Sequence, residues 1–487
     1  MSFTKKVKNF LLNNKGTRQT VVKNTFWMAT GQIGSRLFKA AIVIYAARVL
    51  GAAGYGIFSY VVGLAGFFTV LADMGIKSAL TREISQKPNR APYYFATAFW
   101  IKAVLLVLTA LVIIFIAPYI SKIDAIRALI PFVAFLTIFD GLREFSAAYF
   151  RGKEKMELDA LLIIVTNVAI TIVGFIALYF SATAKALTIA YIFSAGTGAI
   201  LGIYILRKRF SQVIKYFRKN LLKPILKASL PIALLGIIGV FMLNIDIVML
   251  GFYKGAREIG FYSASQKIVQ LLYVLPAILA MSTFPAISRL ISENAKKKAK
   301  MLMERSITAV FLLALPIAAG GAILSSQIIA LIYGAEYLPA SPAFFLLILT
   351  PLLVFPGMLI GNYIFAYNRQ RQIVPRVLAG IIANVVLNIL LIPPFGIAGC
   401  AVATIGAQLI YNVSILKLAK KIKNFKILPY LQKIFLATAI MGVFVLLFKL
   451  AGFHVILNIV LAISIYFGAL YFLKEGTLNE VKKALII

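Results

Sequence analysis

Apolar runs of about 20 residues follow one another along almost the whole of this 487-residue chain. An α-helix needs a run of about that length to cross the hydrocarbon core of a bilayer. Because 61% of the residues are hydrophobic, too few polar side chains remain to cover the surface of a soluble protein. Backbone polar groups must pair internally in lipid, so the pattern predicts an all-α, polytopic membrane protein.

Fourteen of these runs are long enough to be predicted as membrane spans. They are 24–49, 54–76, 93–117, 126–149, 158–180, 184–206, 226–250, 259–286, 304–332, 342–367, 373–392, 396–416, 428–449 and 453–473.

The basic residues test this assignment, because most of the 51 Lys and Arg residues fall in alternate loops. Cytoplasmic loops carry an excess of Lys and Arg, so we predict that both termini lie inside and that the number of spans is even. The net charge of +36 therefore reflects membrane topology and contact with anionic lipids. We expect no nucleic-acid partner.

Cysteine and histidine are almost absent from this chain. Cys400 is the single cysteine and His454 the single histidine, which excludes a disulfide framework, a Cys/His metal site and most histidine-based catalysis. We therefore expect no cofactor. Residues 1–23 are basic and lack an apolar signal-peptide core, so the first span is expected to act as its own insertion signal.

Two halves of the chain resemble each other. Tyr55–Ser59 is similar to Ile259–Ser263, and Phe150–Asn167 is similar to Tyr367–Asn384, in the same order. Six spans per repeat is an even number, so the repeats enter from the same side and form two parallel six-helix bundles. The predicted segments are a basic N-terminal segment 1–23, bundles 24–206 and 228–416, a linker 207–227, and a C-terminal part 417–487 with two helices and a cytoplasmic tail.

The linker 207–227 has an amphipathic pattern. Phe210, Ile214, Phe217 and Leu221 recur at intervals of three and four, with Lys and Arg between them. The pattern favours an amphipathic helix on the inner, anionic leaflet. A solvated linker is the alternative.

Polar residues interrupt the first span. Gln32, Arg36 and Lys39 fall on one face of the predicted helix, and Arg36 lies near the bilayer midplane. A cation at that depth is costly unless it faces water, a partner or an anionic ligand, which predicts a cavity. Alternatively, these cations snorkel to the surface or pair with an acid on another helix.

The eighth span carries a wide polar arc. Tyr262, Gln266, Gln270 and Tyr273 share a face, and Lys267 lies beside them. Aromatic and amide side chains suit sugar rings and hydroxyls, so this face is predicted to line the cavity. Packing between helices is the alternative.

Acidic residues inside the spans are candidates for pairing or ion coupling. Asp246, near the outer end of the seventh span, either pairs with Lys267 or binds a proton or sodium ion that drives a conformational change. Arg143 is expected to neutralise Asp140 and Glu144 in the fourth span.

A further acid, Asp73, lies four residues before Lys77 at the inner end of the second span. At that spacing the two side chains are expected to form a structural ion pair.

The sequence also resembles a known family. The stretches that carry the resemblance are KNTFWMATGQIGSRLF at residues 23–38, residues 51–85, Ser229–Tyr253, Glu258–Arg289, Tyr333–Leu349 and Pro393–Leu409. They are similar to polysaccharide biosynthesis proteins, the Wzx-type flippases of the multidrug/oligosaccharidyl-lipid/polysaccharide (MOP) exporter superfamily. The resemblance covers nearly the whole chain.

This resemblance implies two bundles in a V that alternate between inward-open and outward-open forms. The cargo would be an oligosaccharide linked to polyprenyl phosphate or pyrophosphate, carried across the cell membrane of a prokaryote for surface glycan export. Arg36 and Lys39 would bind its phosphate, and a polysaccharide polymerase and other export machinery would be partners. A small-molecule exporter of the same superfamily is the alternative; a glycan ligase or polymerase is disfavoured because no large outer loop is present, so we expect no enzyme activity.

Overall fold

The computed structural model describes residues 17–422, 424–425 and 427–474. Most of the predicted N-terminal segment 1–23 and the C-terminal tail from residue 475 therefore lie outside the described residues. The described part of the chain consists of helices and contains no strand, which confirms the all-α prediction.

Numbered in chain order, the helices are α1 (Thr17–Leu71), α2 (Ile76–Gln86), α3 (Ala91–Phe115), α4 (Asp124–Gly152), α5 (Met156–Phe180), α6 (Ala184–Ile205), α7 (Arg207–Phe210), α8 (Leu222–Tyr253), α9 (Ala256–Leu272), α10 (Val274–Ser292), α11 (Lys296–Ile323), α12 (Ser325–Tyr333), α13 (Ser341–Leu347), α14 (Pro351–Ala366), α15 (Val374–Ile422), α16 (Leu428–Leu450) and α17 (Val455–Phe472). Short 3-10 turns lie at Pro88–Arg90, Ala117–Ile120, Lys219–Leu221, Ala335–Ala340 and Gln370–Gln372.

Among the described residues, ten helical stretches are long and apolar enough to cross a membrane, or eleven if the bent pair at Ala335–Leu347 and Pro351–Ala366 is one span. The chain is thus a multi-pass membrane protein. The count of fourteen spans and the orientation of the termini stay predictions.

Two of the long helices are broken at a glycine. Gly51 has φ 65° and ψ 176° inside α1, and Gly396 has φ 57° and ψ −131° inside α15. Residues with a side chain rarely adopt such backbone angles, so glycine lets the chain turn sharply between two successive helices. Each break falls at the border between two predicted spans.

Contacts divide the chain into two compact units, one up to Gly260 and one from Phe261 onward. The border falls inside α9 rather than in the linker, because α8 packs against α1 and α2 of the first unit. The predicted borders of the sequence repeats stay a prediction.

In the first unit, α1 and α5 pack closely and run parallel. A Cβ on Gly31 would lie 3.1 Å from the Cβ of Ala160, and a Cβ on Gly174 would lie 2.9 Å from the side chain of Ile42. The contacts advance in the same direction along both helices. Parallel packing is what two odd-numbered spans require.

Small residues also bring the second half of α1 onto the first turn of α9. A Cβ on Gly56 would collide with the carbonyl oxygen of Ala256, and a Cβ on Gly260 with that of Ala52. In each helix the two small residues are four positions apart, a spacing that lets helix backbones approach closely in membranes. Gly56 and Gly260 occupy equivalent positions in the two similar stretches of sequence. Each glycine packs against the backbone of the other helix.

In the second unit, α16 and α17 pack on α11 around an apolar cluster. Two buried polar groups of these helices bond to backbone: the Asn458 amide donates to the Val445 carbonyl oxygen at 3.0 Å, and the Tyr466 hydroxyl donates to that of Leu312 at 2.8 Å. An apolar cavity of ≈ 470 Å³ lies between these helices, α9 and α13.

The linker 207–227 differs from the predicted amphipathic helix. Its helix α7 has only four residues and is followed by turns. The ring of Phe210 lies 5.1 Å from that of Phe95, and the Arg218 amide donates to the Thr97 hydroxyl at 3.1 Å. The prediction of a continuous helix is therefore wrong, because contacts with α3 fold the segment onto the unit.

Candidate functional site

The first half of α1 carries the predicted phosphate-binding cations. The side chains of Arg36 and Lys39 are both exposed. Lys39 lies close enough to Asp140 and Arg143 of α4 to interact with both electrostatically. Gln32 belongs to α1, but its side chain lies outside the described residues.

Arg143 is held at the centre of an ionic cluster on α4. Its guanidinium lies 2.8 Å from Asp140 and 2.9 Å from Glu144, which confirms the predicted self-neutralising cluster. Gly198 of α6 packs against the Arg143 chain, since a Cβ there would lie 2.8 Å from Arg143 Cδ. Arg143 is therefore fixed in place and largely neutralised.

The cluster continues toward the α4–α5 connection through Arg151. Its guanidinium lies 2.6 Å from Asp159 of α5 and 3.2 Å from Glu144. The Lys77 ammonium lies 3.8 Å from Glu144, and the Lys77 side chain is 41% exposed. Arg151 thus ties α4 to α5, whereas Lys77 is held only loosely.

Asp73 has a different partner from the one predicted. The Lys102 ammonium of α3 lies 3.1 Å from Asp73 and donates to the Ala72 carbonyl oxygen at 2.8 Å. The predicted Asp73–Lys77 pair is wrong because the chain turns between them: Gly75 has φ 76°, so no helical i, i+4 relation exists. Lys102 is buried and would be uncompensated without Asp73.

A polar cavity of ≈ 360 Å³ opens beside this cluster, within the first unit. Its lining residues come from α1, α2, α4 and α5, and they are Trp27, Met28, Gly31, Lys77, Glu144, Arg151, Asp159, Ala160 and Ile163. Gly31, which lines the cavity, precedes Arg36 by five residues, so the two lie about 140° apart around α1 and on different faces of it. The first unit therefore combines two exposed cations with a charged but balanced cavity.

In the second unit, the polar face of α9 is engaged within the protein. Tyr262 is completely buried and its hydroxyl lies 3.0 Å from that of Thr404; the Tyr273 hydroxyl lies 3.0 Å from that of Thr350. The first bond ties α9 to α15, and the second ties the turn after α9 to the residue before α14. Both are packing contacts of the kind given as the alternative.

The remaining residues of that face are less enclosed. Gln266 is buried, whereas Lys267 and Gln270 are half-buried, and the Lys267 ammonium donates to the Gln270 amide oxygen at 3.3 Å. A role of this face in sugar binding stays a prediction.

Asp246 is buried in α8 of the first unit. Its predicted coupling role, and its pairing with Lys267, stay predictions. Among the described residues, no three His, Cys, Asp or Glu side chains come close enough to hold a metal ion.

Sequence reasoning did not assign the polar residues of this cavity to a site: Lys77 and Glu144 were expected only in structural ion pairs, and Arg151, Asp159 and Trp27 were not singled out. Lys77, Arg151 and Asp159 lie at span ends, where charges are ordinary, and Trp27 lies where aromatic residues commonly anchor a span. One signal was present: Asp159 follows a basic loop just inside an otherwise apolar helix.

Two family models match this chain. The model described as "Polysaccharide biosynthesis protein" matches residues 21–291, which is more than half of the chain. The model described as "MatE" matches residues 231–394. Both matches confirm the resemblance seen in the sequence.

Two relatives come from the archaeon Haloferax volcanii. The probable low-salt glycan biosynthesis flippase Agl15 is 24% identical over 74% of this chain and 75% of its own length. The probable flippase AglR is 24% identical over 75% of this chain and 76% of its own length.

A solved structure has the same fold. The lipid II flippase MurJ, in an inward closed conformation, superposes with a TM-score of 0.74, at 18% identity, over 91% of this chain and 98% of that chain. At this identity the likeness shows the fold alone.

Proposed function

Because this chain belongs to the polysaccharide biosynthesis protein family, we propose that it is a flippase for a lipid-linked oligosaccharide. It moves a sugar chain on polyprenyl phosphate or pyrophosphate from the cytoplasmic to the outer leaflet by alternating access. The names of the relatives Agl15 and AglR support this proposal. A flippase breaks no covalent bond, so we assign no catalytic residue.

One observation carries the proposal: Arg36 and Lys39 are exposed cations on an apolar helix, beside charges that are already paired. Facing lipid, these cations would be costly, so they face an aqueous cavity. The Arg36 guanidinium offers a planar fork to phosphate oxygens and the Lys39 ammonium a mobile point charge. Together they supply a phosphate site. Arg143 cannot do so, because Asp140 and Glu144 already neutralise its charge.

The wider setting follows from this role. The protein lies in the inner or plasma membrane of a prokaryote, with both termini in the cytoplasm. It delivers cargo to a polysaccharide polymerase or other export machinery, and anionic lipids contact its basic loops. The remaining predicted cargo contacts are Gln32 in the first unit and Tyr262, Gln266, Lys267, Gln270 and Tyr273 in the second.

Alanine variants test the phosphate site. Arg36→Ala and Lys39→Ala should each abolish export of the surface glycan while the protein still reaches the membrane. Lys215→Ala, which removes an exposed cation from the linker, is the matched control and should export normally. Normal export by both Arg36→Ala and Lys39→Ala would reject the phosphate site.

Asp246 is proposed to bind the coupling ion, H⁺ or Na⁺, so that its charge state biases the two conformations. Transport into vesicles should collapse when the driving gradient is dissipated, and Asp246→Asn should transport slowly and ignore the gradient. Gradient-dependent transport by Asp246→Asn would remove Asp246 from the mechanism.

A small-molecule exporter is the second candidate, favoured by the MatE match over residues 231–394. Purified protein in vesicles separates the two candidates. Transport of a fluorescent lipid-linked sugar, with no efflux of organic cations, supports the flippase; the reverse result supports the exporter.

A further inference from the structure

The ionic cluster of the first unit is a row of alternating charges. Acids and arginines follow one another in the order Asp140, Arg143, Glu144, Arg151 and Asp159, with N–O distances of 2.8, 2.9, 3.2 and 2.6 Å. Three acids and two arginines leave one negative charge that the arginines do not neutralise. This charge is available to cations that lie outside the row.

Two lysines meet the row at different places. The Lys77 ammonium lies 3.8 Å from Glu144, in the middle of the row. Lys39 lies at the end of the row, where Asp140 attracts it and Arg143 repels it. Of the two lysines, Lys39 is the one that we assign to the phosphate site, so this site adjoins an acid.

Asp140 is held by Arg143 but is not enclosed by it. The Arg143 Nε and Nη2 atoms donate at 3.0 Å and 2.8 Å to the same carboxylate oxygen, Oδ1, and neither bond uses Oδ2. The Asp140 side chain is 35% exposed, against 18% for Glu144. Asp140 is therefore fixed in position while its carboxylate stays accessible from outside the row.

We propose that Asp140 is the counterion of Lys39 in the empty phosphate site, and that the phosphate of the cargo takes its place at Lys39. The inference rests on the proposed flippase function and deepens it, because it adds a residue that regulates the same site. Since the phosphate competes with a carboxylate, it is bound less tightly than Arg36 and Lys39 alone would bind it. Weaker binding favours release of the cargo in the outer leaflet.

Electrostatics gives the reason for such a counterion. A cation inside a membrane span is costly when nothing compensates its charge, and the site is empty between transport cycles. Attraction between opposite charges extends over several Å where water is partly excluded, so Asp140 compensates Lys39 while Arg143 keeps the carboxylate in place. A phosphate that reaches Lys39 replaces this attraction with a stronger one, because it can carry more than one negative charge.

The experiment measures the binding of three probes to the purified full chain in detergent: undecaprenyl pyrophosphate, undecaprenyl phosphate and uncharged undecaprenol. Asp140→Asn removes the charge but keeps an oxygen that accepts hydrogen bonds from Arg143. It should bind the pyrophosphate about tenfold more tightly than the wild type, because the carboxylate no longer competes for Lys39. The gain should be smaller for the phosphate and absent for undecaprenol, an order that a purely structural change would not produce.

Two further variants separate the charge of Asp140 from its packing. Asp140→Glu keeps the charge and should lose most of the gain. Glu144→Gln removes the other acid that pairs with Arg143, whereas Asp140 is the acid that acts on Lys39, so its gain should stay below about twofold. Asp140→Ser, whose hydroxyl oxygen also accepts a bond from Arg143, carries the test if Asp140→Asn fails to fold.

The counterion role also predicts a coupling between two residues. In a Lys39→Ala background, Asp140→Asn should gain little affinity for the pyrophosphate, because no ammonium remains for the acid to compensate. A double-mutant cycle over Lys39 and Asp140 measures this coupling. An equal gain in both backgrounds would overturn the counterion role.

The outcomes distinguish the two proposals. If the wild type binds the anionic lipids no more tightly than undecaprenol, the phosphate site is overturned and the counterion with it. If the wild type prefers the anionic lipids but neither Asp140→Asn nor Asp140→Ser binds them more tightly, the counterion is overturned while the phosphate site stands.

Discussion

The two units differ in the charged groups that they enclose, although the first unit also has an apolar cavity of ≈ 320 Å³ lined by residues such as Phe67 and Phe241. In the first unit, charged groups of different helices pair with one another: Arg143 with Asp140 and Glu144, and Lys102 with Asp73. In the second unit, the space between α9, α11, α13, α16 and α17 is a cavity whose lining is apolar.

This difference shows that the first unit is where charged side chains are buried at a cost in free energy. A buried ion pair contributes little net stability, because desolvation offsets the attraction, yet breaking it leaves an uncompensated charge. Intramembrane charges are therefore expected where they bind or position something. The first unit is where we propose that the phosphate of the cargo binds.

Breaking the Lys102–Asp73 pair should have the largest effect. Asp73→Ala leaves the Lys102 ammonium, whose residue is 1% exposed, without its counter-charge. We expect a loss of about 3–5 kcal/mol, measured by thermal unfolding in detergent. The double variant Asp73→Ala/Lys102→Met should recover most of the lost stability, because it no longer buries an unpaired charge.

The matched control is an exposed pair of the second unit. Glu293 lies 3.9 Å from Arg289, and its side chain is 58% exposed. Glu293→Ala should cost at most about 1 kcal/mol. If Asp73→Ala loses no more stability than Glu293→Ala, the first unit does not depend on its internal ion pairs.

Placing a charge in the second unit should be nearly as damaging. Ile317 lines the apolar cavity, and Ile317→Lys would put an ammonium there without a designed partner. We expect a loss of about 2.5–3.5 kcal/mol, seen in the same assay. Ile317→Met, which nearly conserves volume, should cost less than about 1.5 kcal/mol. Equal stability of both variants would erase the contrast between the units.

An added methyl group should destabilise the protein more beside the ionic cluster than beside an apolar group. A Cβ on Gly198 would collide with the Thr166 hydroxyl and crowd Arg143, so Gly198→Ala should cost about 1–3 kcal/mol. Gly196→Ala, two residues earlier, meets Phe139 at an ordinary 3.7 Å and is the control. If both variants unfold at the same temperature, Arg143 is not held rigidly.

The smallest effect should come from a charge outside the spans. Burial of Glu83 acts to raise its pKa, but hydrogen bonds from Lys87 and Arg82, each at 3.0 Å, outweigh burial and hold the pKa below its ordinary value. A lowered pKa stabilises the folded state above the ordinary glutamate pKa, and this stabilisation is lost as pH falls through the lowered pKa.

Glu83→Gln should therefore melt slightly below the wild type at neutral pH, and the two should converge in acid. Thermal unfolding measured from neutral to acidic pH gives the difference. A gap that persists at the lowest pH would assign the effect to packing rather than to charge.

Several features could be predicted from local sequence. Arg143 and Asp140 are three residues apart on one helix, so helical geometry alone brings them together. The breaks at Gly51 and Gly396 coincide with borders between apolar runs. By contrast, the linker helix was overpredicted, because the contacts of Phe210 and Arg218 with α3 are absent from any local pattern.

The length and succession of the apolar runs alone determined that this protein is an all-α membrane protein. In lipid, a backbone without water must pair its own polar groups, and a helix does so within one segment. Only the tertiary structure decided which charges meet. Lys102 and Asp73 are 29 positions apart, and their pairing depends on how α3 packs beside the turn that ends α1. The cavity around Trp27 and Lys77 likewise depends on how α1, α2, α4 and α5 pack together, which no single stretch of sequence records.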